Sequence, residues 1–126
     1  MNKEMTPDDN LLDTPDRQAV HELVLSIADE MTRMQVNLAN MDSSVRGYKQ
    51  LVRSLERMRN HLLVAGYEVV NMLGTPYHEG MRVVATFVFD ETLPAGSQIV
   101  SGVSKPQVNY LGELIQVAHI TVSQNI

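Results

Sequence analysis

The sequence predicts an α+β chain in which the helices come first and the sheet second. Upstream of Gly66, apolar residues recur every three or four positions, the period of an amphipathic helix. Downstream they alternate or run together in short blocks cut by Gly and Pro, as strands do. Ala65-Gly66 separates the two regimes, with Gly66 suited to the left-handed position that closes a helix. The chain therefore divides into a disordered acidic tail (1–14), a helical region (15–65) and a β-rich region (66–126).

The tail is polar and acidic, with one Lys against four Asp or Glu in its first fifteen positions. Thr14-Pro15-Asp16 then reads as a helix start. Thr can cap, Pro fits the first helical position, and Asp faces the positive end of the dipole.

From here the apolar residues are Val20, Val24, Ile27, Met31, Met34, Leu38, Met41, Val45, Tyr48, Val52, Leu55 and Leu62. Between Val24 and Leu55 the steps alternate three and four, an a/d heptad seam that Arg59 alone interrupts farther on. The helical half holds few other apolar residues to cover such a stripe, so self-association is expected, with Met31, Met34, Leu38, Met41, Val45, Tyr48, Val52, Leu55 and Leu62 at the dimer interface. The alternative is a plain intramolecular helical core. The unbroken phase suits one long helix. Asp42-Ser43-Ser44 and Gly47 suit a turn, and they favour a hairpin of helices near 15–41 and 45–65.

Beyond Gly66 the strand candidates are 68–73, 81–89, 98–103 and 113–123, with Val83–Phe89 and Gln116–Val122 richest in β-branched and aromatic residues. Gly74-Thr75-Pro76, Leu93-Pro94-Ala95-Gly96 and Lys105-Pro106 are the breakers between them. Four strands without crossover helices predict an antiparallel sandwich or partial barrel rather than a parallel sheet.

Composition limits the function classes. The 126 residues carry a net charge of -5, which argues against nucleic acid as the main ligand. The basic residues crowd into one stretch, Arg46, Lys49, Arg53, Arg57 and Arg59, which is either a solvated helix face or a docking surface for an acidic partner. With no cysteine in the chain, disulfides and cysteine-type zinc sites are excluded. No apolar run approaches the roughly 20 residues that span a bilayer, and the start of the chain lacks the apolar core of a secretory signal. A cytoplasmic protein that does not engage membranes is the expectation.

Catalytic and metal signatures are weak. His78-Glu79 opens like a zinc-protease helix motif, but position 82 is Arg rather than a second His. His21, His61, His78 and His119 share no ligand spacing. Asp90-Glu91 is a carboxylate pair whose adjacent side chains point apart. No phosphate loop or nucleophile elbow is present. No enzyme, metal or cofactor is expected.

Five segments of the second half, in order, do resemble a known family. They are Gly66-Tyr67-Glu68-Val69-Val70, Pro76-Tyr77, Asp90-Glu91, Leu93-Pro94-Ala95-Gly96, and Gly112-Glu113-Leu114-Ile115-Gln116-Val117-Ala118-His119-Ile120-Thr121-Val122. Together they resemble GrpE, the nucleotide exchange factor of DnaK-type chaperones, over residues 66–123. Tyr48–Ala65 is similar to the last helix of that family, and Met31–Leu38 to the helix before it. The resemblance implies a homodimer joined through its helices and a β-domain that wedges into the chaperone's ATPase domain so that ADP leaves. It implies partner contacts at Arg82, Glu113, Gln116 and Val122, although Val122 can equally be a core strand residue.

The departures fall on the same face. Arg82-Val83-Val84 stands where the family has His-Glu/Gln-Ala, Glu113 replaces an Arg, Gln116 replaces another, and the family's Gly-Tyr gives way near Lys105-Pro106. The helical region is also shortened. Reversing a charge at a contact changes partner preference. The second reading is accordingly a GrpE-fold adaptor that binds another protein without promoting exchange; an enzyme subunit is the remote third.

Overall fold

The computed structural model describes residues 15–126. The expectation for the tail, 1–14, and the cap assigned to Thr14 lie outside the described residues.

The helical region is a hairpin of α1 (Pro15–Ala39) and α2 (Tyr48–Val64). The turn forms where side chains compete with the helix for backbone groups. Asp42 Oδ1 accepts hydrogen bonds from the Ser44 N–H and the Ser44 hydroxyl, both at 2.9 Å. Gly47 then takes φ 91°, a left-handed conformation that starts α2. Antiparallel packing buries Met31 and Leu38 of α1 against Leu55 of α2, with Tyr48, Val52 and Leu62 partly covered around them. Half of the heptad seam thus closes on itself. The premise that this half lacks anything to cover its own stripe is corrected for these six residues, because a hairpin supplies the second helix from the same chain. Arg59, the interruption in the seam, reaches across the hairpin, and its Nη2 donates to Gln35 Oε1 at 2.7 Å.

α2 ends at Ala65, whose N–H bonds the His61 carbonyl, and Gly66 turns the chain at φ 98°. Six strands follow: β1 (Tyr67–Val70), β2 (Val83–Phe89), β3 (Gln98–Lys105), β4 (Gln107–Tyr110), β5 (Glu113–Gln116) and β6 (Ala118–Gln124). They make two three-stranded sheets, β1-β4-β5 and β2-β6-β3. The first sheet is antiparallel throughout. In the second, β3 runs antiparallel to β6 while β2 runs parallel to it, with Val83 opposite Ala118 and Phe89 opposite Gln124. The expected all-antiparallel arrangement is therefore corrected. A parallel pair needs a long crossover, and here β3, β4 and β5 supply it in place of a helix.

The segment 113–123, expected as one strand, is two. Val117 separates β5 in one sheet from β6 in the other. Pro106 does the same between β3 and β4, so the chain changes sheet at both points. Strands that switch sheets form the corners of such packings. The Gln116 side-chain amide fastens the two crossings, donating to the Pro106 carbonyl at 2.9 Å and to Asp29 Oδ1 of α1 at 3.0 Å.

Each sheet has its own core. Val24 and Ala28 of α1 pack on Tyr67 and Val69 of β1 and Val108 and Tyr110 of β4. Val100, Ala118, Ile120 and Val122 form the other, with Met72, Tyr77, Val83, Ala85 and Val103 around them. α1 therefore serves twice, against the first sheet through Val24 and Ala28 and against α2 through Met31 and Leu38.

Candidate functional site

The surfaces open to a partner follow from which apolar side chains the fold leaves uncovered. On α1, residues seven apart share a face, and one such column is Val20, Ile27 and Met34, with Met41 following in the turn. All four are partly exposed, as is Leu23 beside them. The neighbouring column, Val24, Met31 and Leu38, is buried. On α2 the same contrast separates exposed Leu51 and Met58 from buried Leu55. His21, Ala28 and Thr32, on the opposite flank of α1, are buried. Helical geometry consequently puts the Ile27-Met34 column and the Leu51-Met58 pair on one face of the hairpin, away from the sheets.

Of the residues expected at a dimer interface, Met34, Met41 and Val45 remain exposed. Met31, Leu38 and Leu55 are buried inside the protomer, and Tyr48, Val52 and Leu62 pack around them.

The four residues assigned to partner contact do not form one patch. Arg82 is exposed immediately before β2, and Glu113 is exposed at the start of β5 in the other sheet. Gln116 is engaged by Asp29 and Pro106 as described above. Val122 is fully buried at the centre of the second core, so its core reading holds and it is unavailable to a partner.

Two of the motif segments do converge. Pro76 bridges to Ile99 of β3, and the Tyr77 N–H donates to the Gln98 carbonyl at 3.0 Å. This brings Pro76-Tyr77 beside Leu93-Pro94 and Gly96 around a cleft of about 480 Å³. Asp90 organises the adjoining turn, with its Oδ1 accepting from the Thr92 hydroxyl at 2.6 Å and the Thr92 N–H at 2.9 Å. Those bonds hold the Asp90 carboxyl below its ordinary pKa. A carboxylate committed to its own turn is a structural element rather than half of an acid–base pair. His78 and Glu79 lie exposed in the loop before β2.

One polar cluster was not visible in the sequence. His21 of α1 is buried with its Nδ1 2.7 Å from the Tyr67 hydroxyl, and its ring meets Tyr110 edge-on at 4.8 Å. The Arg17 guanidinium lies 5.3 Å from the centre of the Tyr110 ring. His21 Nε2 is buried with no hydrogen-bond partner. Burial, and secondarily the Arg17 charge, lower the His21 pKa. The contributing residues are scattered along the chain, and no spacing announces them.

Among the described residues, no three His, Asp or Glu side chains gather in a way that could hold a metal ion. No helix among them is long and apolar enough to cross a membrane. No protein-family model matches the chain, and no curated protein is significantly similar to it.

Proposed function

We propose that this chain is a GrpE-like nucleotide exchange factor that binds the ATPase domain of a DnaK-type chaperone and promotes ADP release. The observation that carries the reading is the joint placement of the resembling segments. Gly66–Val70 forms the exit from the helices and β1, Pro76-Tyr77 meets Leu93–Gly96 at one cleft, and Gly112–Val122 builds β5 and β6. A helical stalk joined at Gly66 to a small β head suits a protein that acts by holding one conformation of a partner. Such a factor works by binding the open, low-affinity state of the ATPase domain better than the closed one; no covalent chemistry is required. The exposed face of the hairpin supports pairing of two stalks into a bundle, with Ile27, Met34, Met41, Leu51 and Met58 buried between copies. In this reading the protein is a cytoplasmic homodimer.

A second reading is favoured by a specific observation. Gln116 is turned inward to Asp29 and Pro106, and Glu113 carries the opposite charge to the residue expected there. A head altered in this way suits an adaptor that binds some other protein without exchange.

Release of labelled ADP from DnaK-type chaperones of the same organism, with and without the folded protein, decides between the two. Acceleration is the expected result. If no such chaperone responds, the exchange activity is ruled out and the adaptor remains.

A further inference from the structure

β2 is an edge strand without the usual protections. Its seven residues, Val83-Val84-Ala85-Thr86-Phe87-Val88-Phe89, include no charge, Pro or Gly. Edge strands are normally kept short, charged, bulged or covered. The other edges here comply. β3 is covered by backbone bonds to the segment 74–77, since Gly74 N–H reaches the Val100 carbonyl and Val100 N–H the Thr75 carbonyl, both at 2.8 Å. β1 and β5 are only four residues long. β2 bonds β6 on one side and has no backbone partner on the other among the described residues. Apolar side chains stand out on both of its faces, with Phe87 44% and Phe89 66% exposed.

The backbone phase says which groups are unused. Asp90 N–H bonds the Gln124 carbonyl of β6, so in the alternating ladder the even-numbered residues of β2 face β6. The N–H and C=O groups of Val83, Ala85, Phe87 and Phe89 therefore point to the open side.

We propose that this edge pairs with β2 of a second copy, antiparallel and centred on Thr86. A two-fold axis through Thr86 sets Val83 opposite the partner's Phe89 and Ala85 opposite the partner's Phe87. These are all residues with outward backbone groups, so the hydrogen-bonding parity closes. The exposed phenyl rings are then covered by the small side chains facing them. On the other face Val84 meets the partner's Val88 and Thr86 meets its own counterpart. At each end Arg82 comes opposite the partner's Asp90, in a pair of the closer, non-hydrogen-bonded kind. A segment that is positive at its start and negative at its end is self-complementary only in antiparallel pairing. The result is one six-stranded sheet, β3-β6-β2-β2-β6-β3, with the formerly open edges at its centre. This contact is separate from any pairing of the helices and does not depend on the exchange-factor reading.

The chain has no cysteine, so single-cysteine variants report the register directly. In the paired state two Thr86→Cys thiols face each other across about 4.5 Å between Cα atoms, a span a disulfide accepts. Under mild oxidation at micromolar protein, Thr86→Cys is expected to form a covalent dimer about a hundredfold faster than Ser104→Cys on β3, because pairing raises the local thiol concentration into the millimolar range. Val84→Cys alone, offset from its counterpart, stays slow. Arg82→Glu puts like charges opposite at both ends and is expected to weaken the β2-mediated association roughly tenfold, whereas Arg82→Lys preserves it. Equal rates for Thr86→Cys and Ser104→Cys overturn the proposal, even if sedimentation shows a dimer held by the helices. It is equally overturned if the Phe87 amide becomes protected from exchange only when a different protein is added, which would assign the edge to that protein.

Discussion

Two glycines carry the same backbone sign and different consequences. Gly47 (φ 91°) starts α2 in open space, with no atom within 4 Å of the position a Cβ would take. Gly66 (φ 98°) ends the stalk with that position 3.0 Å from Leu111 Cδ2 and 3.1 Å from Tyr110 Cε1. Gly47→Ala should therefore cost about 1 kcal/mol of left-handed strain. Gly66→Ala adds a tight contact to which the Leu111 and Tyr110 side chains must yield, and should cost more, about 2 kcal/mol, measured by urea unfolding. Equal losses at the two positions would refute the close approach. The conformational role of Gly66 was legible in the sequence, because a Gly at the end of a periodic run is a local signal. Its contact with Tyr110 and Leu111 was not, since that pairing depends on β1 lying beside β4. The bonds of Gln116 to Pro106 and Asp29 were not legible for the same reason. An amide on a strand looks exposed until the crossing at Pro106 and the flank of α1 are both in position.

The heptad seam shows how an element can be legible while its use is not. Period located the helical region, its unbroken phase suited a single long helix, and Asp42-Ser43-Ser44 with Gly47 located the turn that divides it. Which residues of the seam stay exposed required the hairpin to close, because closure buries one column and spares the next. Met31 is 1% exposed, so Met31→Ala should destabilise the protein by about 2–5 kcal/mol. Met34→Ala, on the exposed column, should cost under about 1 kcal/mol in dilute solution. Chemical denaturation of both variants at low concentration tests the assignment, and similar losses would contradict it. Among the strands, β4 was missed although Gln107-Val108-Asn109-Tyr110 alternates polar and apolar, because its four residues follow the breaker at Pro106. The parallel pairing of β2 with β6 has no local signal at all.

At the scale of the molecule, the order of helices then sheet was readable from periodicity alone, whereas the tie between them was not. That tie includes His21, packed between Tyr67 and Tyr110 with Arg17 nearby. Its folded pKa lies below the unfolded value of about 6.5, so the unfolded chain takes up the proton first. The contribution to stability is intact above that unfolded value, falls as the pH drops through it, and levels off once the folded pKa is passed. Urea midpoints measured from pH 8 downward should show this loss, and His21→Phe should remove that part of the dependence. An unchanged pH profile in the variant would mean that the stalk–head junction does not sense the proton.

The position of β6 has a consequence for how the molecule is made. It is the last strand in chain order and the middle strand of its sheet, flanked by β2 and β3. During synthesis α1 and α2 can close on each other early, since their contacts are local. The second sheet cannot, because until Ala118–Gln124 has been made β2 and β3 have nothing between them to pair with. Val83–Phe89 thus waits with both edges bare while the rest of the head is translated. Among the described residues, this is the segment a holding chaperone would be expected to shield on the nascent polypeptide.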